Sequence, residues 1–233
     1  MPDASSADFP NAGSLGPAAW PRCVRVAMLL LNFLPLLHVV GIGVVIAKMP
    51  PHLSPAAALA TLYLLPPLCV RVLLLLRPVT PGSHPAGSPV FLTWWATAQC
   101  QILFCRLPFL EELLRLVPSL YSFWLRLWGA KIGRLTFWSP GLRLLDRSFL
   151  TVGDDVVFGA GARLNAHVLE TVDGLPMLHL APIVIGANAQ IGGYSLLTAG
   201  TVVDAGESLK SFTLSPPFTR WSAGRRARPA LPR

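Results

Sequence analysis

The chain has 233 residues, 53% of them hydrophobic and only 13% charged, with a formal net charge of +8. A soluble domain carries about 25% charged residues, so this composition excludes a water-soluble globule along the whole length and points to membrane segments. Cys23, Cys69, Cys100 and Cys105 include no Cys-x-x-Cys pair. That spacing argues against a disulfide framework or a zinc site, so no metal is expected and the thiols read as reduced apolar fillers.

Residues 1–20, rich in Ala, Ser, Gly and Pro, are predicted to be a disordered N-terminus. Residues 21–80 read as a transmembrane helical hairpin. Its first apolar run, 26–47, would extend roughly 33 Å at about 1.5 Å per residue, the thickness of a bilayer core. Its second, 56–76, should kink at Pro66 and Pro67, with Arg71 snorkelling to the headgroups. Arg22, Arg25 and Arg77 flank the outer ends, against Lys48 alone in the connector, which places both termini in the cytoplasm of a multi-pass membrane protein. Residues 81–128 are predicted as a linker followed by short amphipathic, interfacial helices, divided by Pro108 and Pro118. Trp94, Trp95, Trp124 and Trp128 are expected at the headgroup level.

Aliphatic or aromatic residues then recur every six positions: Val152, Phe158, Leu164 and, after an interruption, Ile185, Ile191, Leu197, Val203. A helix repeats at 3.6 and a strand at 2, so neither alone produces a period of six; the stacked coils of a parallel β-helix do. Ile132, Trp138 and Leu144 or Leu145 give a degenerate first coil, and blocks from 185 onward give about one and a half coils more. Residues 170–184 are expected to form a loop leaving one corner. The β-helix is predicted over 129–210. The remaining 211–233, with Arg220, Arg225, Arg226, Arg228 and Arg233, is predicted as a basic tail. No nucleic-acid motif accompanies those arginines, so membrane lipids are the expected partner rather than nucleic acid.

The stretches Gly129-Ala130-Lys131-Ile132-Gly133-Arg134, Thr151-Val152-Gly153-Asp154-Asp155, Ala166-His167-Val168-Leu169-Glu170 and residues 183–186 occur in that order. In this, residues 129–210 resemble the hexapeptide-repeat acyltransferases. More narrowly, they resemble the membrane-linked C-terminal β-helix domains of non-ribosomal peptide synthetases that make amino-acid homopolymers such as ε-poly-lysine. The chain has no room for adenylation or carrier domains, so the resemblance implies a stand-alone acyltransferase; a detached peptide-bond-forming module is the alternative. It also implies left-handed coils, a homotrimer, no tightly bound cofactor, and acyl-coenzyme A or a carrier-protein thioester as donor. The acceptor would be a lipid-linked or small hydroxyl or amine.

In such enzymes a histidine acts as general base, a role that its pKa near neutrality suits. The resemblance points to His167, with Glu170 to orient it and His179 as runner-up. Asn165 and Asp146 are candidate acceptor-binding or supporting groups. Gly192, Gly193, Ser195, Thr198 and Ala199 would line the donor groove, with Trp221 at its end. A β-helix carbonic anhydrase needs three zinc-binding histidines where this domain offers His167 and His179 only. A non-catalytic membrane scaffold is the reading from a different class.

Overall fold

The computed structural model describes residues 20–227. The expected disordered N-terminus therefore lies, apart from Trp20, outside the described residues, as do Arg228 and Arg233. Two helical segments, Arg22–Lys48 (27 residues, mean hydropathy 2.3) and Ser54–Leu76 (23 residues, mean hydropathy 2.1), are long and apolar enough to cross a membrane. Each is broken by proline. Pro35 has no N–H for the carbonyl one turn back, and the first segment divides at Asn32 and Phe33 into α1 (Arg22–Leu31) and α2 (Leu34–Lys48). The second divides at Leu64 into α3 (Ser54–Tyr63) and α4 (Leu65–Leu76), just before Pro66 and Pro67. Pro67 leaves the Tyr63 carbonyl without its helical donor, and the Trp124 indole N–H fills the vacancy at 2.8 Å.

After α4 come β1 (Gly82–Pro85), α5 (Pro89–Arg106), α6 (Phe109–Arg115) and α7 (Leu120–Leu127). Ser88 caps α5, accepting from the Phe91 N–H at 3.2 Å. The expectation that tryptophans here sit among headgroups is corrected: Trp94, Trp124 and Trp128 are 3%, 2% and 0% exposed. They pack with Phe104, Tyr121 and the first coil in one core, where burying large rings outweighs an interfacial position.

The coils follow. The first comprises β2 (Lys131–Ile132), β3 (Phe137–Trp138) and β4 (Arg143–Leu144); the second β5 (Leu150–Val152), β6 (Val157–Phe158) and β7 (Arg163–Leu164). An antiparallel hairpin, β8 (His167–Val172) and β9 (Leu175–Leu180), then leaves the corner. The third coil is β10 (Ile183–Ile185), β11 (Gln190–Ile191) and β12 (Leu196–Leu197), and the fourth β13 (Val202–Val203), β14 (Ser208–Leu209) and β15 (Leu214–Ser215). Strands β16 (Arg220–Ser222) and β17 (Arg225–Ala227) follow. Parallel pairing aligns Ile132, Val152, Ile185, Val203 and Trp221 in one inward column. Trp138, Phe158, Ile191 and Leu209 form a second, and Leu144, Leu164, Leu197 and Ser215 a third. Trp138 stacks on Phe158 with ring centroids 4.8 Å apart and 6° between planes.

Three expectations change here. The first coil is in full register with the second, because Trp138 substitutes for an aliphatic by stacking. The loop over 170–184 is a hairpin whose Asp173-Gly174 turn has φ of +50° and +77°, the geometry of a type I′ turn. The basic tail is structured through Ala227: β16 pairs with β13, and Arg220 forms an ion pair with Asp204 at 3.0 Å.

The turn from the first coil to the second is held by a buried polar cluster. Arg147 is fully buried and ion-pairs with Glu111, while its backbone N–H and Nη1 both donate to Gln101 Oε1 at 2.9 and 3.1 Å. Glu111 Oε2 also accepts from the Tyr121 hydroxyl at 2.5 Å and from Arg115 at 3.3 Å. Burial, then the charge of Glu111, pushes the Tyr121 phenol well above its ordinary range, so it remains a donor at any physiological pH. Removing the shared carboxylate leaves the fully buried Arg147 guanidinium without its counter-ion, whereas Arg115 keeps Glu112 at 2.6 Å. Glu111→Ala is therefore expected to destabilise the β-helix by about 3–5 kcal/mol, read as a lower midpoint of thermal loss of β-sheet circular dichroism.

Candidate active site at the hairpin corner

Coil stacking brings together two residues far apart in sequence. Arg143 and Leu144 pair with Arg163 and Leu164, so Asp146, just past β4, lies one coil below Ala166 and the start of β8. There His167 Nδ1 is 2.6 Å from Asp146 Oδ2. The other carboxylate oxygen accepts the Trp94 indole N–H at 3.0 Å. The Asp146 side chain is 1% exposed and that of His167 21%. The Trp94 ring packs against the imidazole, with centroids 4.6 Å apart and 54° between the planes.

A carboxylate only accepts, so Nδ1 must carry the proton and donate it. In the neutral ring Nε2 is then a bare lone pair, and among the described residues it has no hydrogen-bond partner. Burial pulls the charged imidazolium down, but the Asp146 charge and hydrogen bond outweigh it, and His167 titrates above its ordinary 6.5. The geometry therefore provides an oriented, partly accessible base backed by a buried carboxylate.

α5 sets this geometry from one face. Trp94 fixes Asp146, and Gln101, two turns on, fixes the adjacent Arg147. On another face of α5, the Trp95 indole N–H donates to Asn32 Oδ1 at 3.0 Å, at the break between α1 and α2. The site is thus tied to the apolar helices by neighbouring residues.

The expected pairing of Glu170 with His167 is corrected. The two are three residues apart on a strand, where side chains alternate, so they lie on opposite faces. Glu170 Oε1 instead lies 2.7 Å from His179 Nε2. Asp146, placed by sequence only among supporting groups, is the partner of His167. Asn165 is half-buried and its side chain forms no hydrogen bond among the described residues.

The expected donor residues are structural in their side chains. Ser195 is fully buried and donates to the Lys210 carbonyl at 3.1 Å; Thr198 donates to the Ser215 carbonyl at 2.7 Å. Ala199 is fully buried, and the Trp221 indole donates to Ser215 Oγ at 2.9 Å. A Cβ on Gly192 would fall 2.3 Å from backbone of the next coil, and one on Gly193 3.1 Å from the Ala160 carbonyl. Stacking of adjacent coils thus accounts for these residues, and their polar side-chain groups are engaged within the stack.

No protein-family model matches the chain, and no curated protein does. Among solved structures, a hexapeptide-repeat-containing acetyltransferase from Vibrio cholerae, complexed with acetyl coenzyme A, aligns at 21% identity and a TM-score of 0.32, covering 44% of this chain and 60% of that one. A second structure of a Vibrio cholerae hexapeptide-repeat acetyltransferase aligns at 23% identity and a TM-score of 0.29, covering 43% and 62%. A maltose O-acetyltransferase from Clostridium difficile aligns at 16% identity and a TM-score of 0.37, covering 64% of this chain and 92% of that one. The chain thus spans about three fifths of the length of the Vibrio structures. Likenesses at these TM-scores carry no inference about activity.

The His167–Asp146 pair has a defined pH signature. Because the folded value is raised, its stabilisation is complete below about 6.5 and is lost as pH rises through the raised value. Imidazole NMR should show His167 titrating above 6.5, with Asp146→Asn moving the titration downward.

Proposed function

We propose that the chain is a membrane-anchored acyltransferase with His167 as general base. The observation that carries this reading is the 2.6 Å contact between His167 Nδ1 and the buried Asp146 carboxylate, which directs the lone pair of Nε2 outward. An acceptor hydroxyl or amine gives its proton to Nε2 as its oxygen or nitrogen attacks the carbonyl carbon of a thioester. The carbon–sulfur bond breaks, and the imidazolium returns the proton to the departing thiolate. Asp146 stabilises the imidazolium between the two transfers. Acyl-coenzyme A is the donor in this reading. With a carrier-bound aminoacyl thioester and an amine acceptor, the same proton transfers would form a peptide bond.

The anchor is the helical pair within residues 21–80. Leu29, Leu30, Leu36, Leu37, Leu75 and Leu76 are all more than half exposed on it, which suits lipid contact and not water. The flanking arginines favour a cytoplasmic position for both termini. The Asn32–Trp95 bond beside Trp94 supports a lipid-linked acceptor arriving from the anchor side. The coils are proposed to wind left-handed, and the exposed, stacked Tyr194 and Phe212 rings favour a homotrimer.

The test is thiol release from acetyl-coenzyme A by the full chain in lipid nanodiscs, with hydroxyl- and amine-bearing lipids as acceptors. His167→Ala should lower kcat by about 10²–10⁴-fold. An unchanged rate in that variant would overturn the assignment.

A further inference from the structure

The hairpin carries a second constellation, on the sheet face opposite His167. Strand β1 pairs with β9, so the three strands run in the order β1, β9, β8. Their register places Ser83 across from His179, and His179 across from Val168. Alternation puts Glu170, two residues beyond Val168, on that same face. Ser83 Oγ lies 2.6 Å from His179 Nδ1, and Glu170 Oε1 lies 2.7 Å from Nε2, close but off the axis of a full hydrogen bond.

These contacts set the direction of the protons. The Glu170 carboxylate favours hydrogen on Nε2, which leaves the lone pair on Nδ1, so the Ser83 hydroxyl donates to it. His179 is nearly buried at 9% exposure, and Phe218 meets its ring edge-on with centroids 6.0 Å apart, fixing its plane. Ser83 itself is exposed. A buried, oriented imidazole accepting from an exposed hydroxyl is the arrangement that activates a serine nucleophile.

The backbone adds a further element. β1 is an edge strand, and the Ala86 N–H donates to the Pro176 carbonyl at 2.9 Å. Antiparallel ladders alternate, so two and four residues back the N–H groups of His84 and Gly82 face β9, while those of Ser83 and position 85 face outward. Position 85 is proline and has none. The Ser83 N–H is therefore the outward donor of this strand, beside its own Oγ, where the oxyanion of an attacked carbonyl would form. The strand lies a few residues beyond the end of α4 at Leu76, beside the segment long enough to cross a membrane.

We propose that Ser83 is a nucleophile that takes an acyl group from a carboxylic thioester, with His179 as its base and Glu170 as the positioning residue. Ser83 Oγ attacks the carbonyl carbon as its proton passes to His179 Nδ1. The carbon–sulfur bond breaks, the proton passes to the thiolate, and the products are acyl-Ser83 and a free thiol. This site does not depend on His167, which faces the other way.

The test uses the full chain in nanodiscs, treated separately with a fluorophosphonate and with acetyl-coenzyme A, followed by intact mass and peptide mapping. One adduct is expected, on Ser83, in the wild type and equally in His167→Ala. It should form about a hundredfold more slowly in His179→Gln and be absent in Ser83→Ala. A wild-type chain unlabelled by the fluorophosphonate, or an adduct that persists in Ser83→Ala, overturns the nucleophile. Fluorophosphonate labelling without acetylation overturns the thioester as its substrate. Because labelling is read in His167→Ala, this proposal and the transferase reading can fail separately.

Discussion

A fully buried guanidinium is among the most demanding groups a fold can enclose, since moving the charge from water costs several kcal/mol even after relaxation. Arg147 is such a group, and Glu111 answers it from a helix 36 residues earlier. Much of the local architecture follows from that demand. α5 contributes Gln101, α6 contributes Glu111 and Arg115, α7 contributes Tyr121, and the three helices are thereby set on the turn that joins the first two coils. Asp146 is the residue immediately before Arg147 on that turn. The carboxylate behind His167 is thus positioned as a by-product of neutralising its neighbour.

α5 is the element through which this reaches the apolar helices. It is an 18-residue helix buried on one side by the coils and on another by α1 and α4, so it reads as apolar nearly all round. Its indoles at 94 and 95 face different partners: the Asp146 carboxylate on one side and the Asn32 amide on the other. A proline break in the second apolar segment frees an acceptor that an aromatic donor satisfies. Tyr63 and Trp124 show this directly, the indole replacing the N–H that Pro67 lacks. Flexibility at prolines is converted into fixed geometry.

What the sequence reveals follows from which interactions are periodic. The six-residue rhythm identifies inward columns because each depends only on its neighbours one coil away, and Leu144 rather than Leu145 proves to be the inward choice at the first coil. The apolar segments and their kinks are equally local. The hairpin is encoded by Asp173-Gly174 between strand-like runs, a turn dipeptide that the break in the six-residue repeat hides. A spacing of three means proximity on a helix and opposition on a strand, so Glu170 stands by His179 and not by His167. Asp146, Trp94 and Ser83 are brought to their histidines by pairings that no local pattern announces, and Ser83 lies in a proline-rich stretch that reads as linker. The small and hydroxyl residues of the third coil fit both a donor groove and tight stacking by type alone, and in the structure their side chains are engaged in the stack.

Ser83 and His179 are separated by 96 residues of chain, and among the described residues β1 has no strand partner but β9. At about 5–20 residues per second of synthesis, β1 emerges roughly 5–20 s before β9 exists to pair with it. During that interval the partners of α5 are made, since Asp146, Arg147, Trp124 and Trp128 all precede β9, while β1 still has no strand to pair with. The order of translation therefore leaves β1 as the element that waits, so nascent chains stalled before residue 180 would present an unpaired strand edge beside helices and coils that are otherwise able to pack.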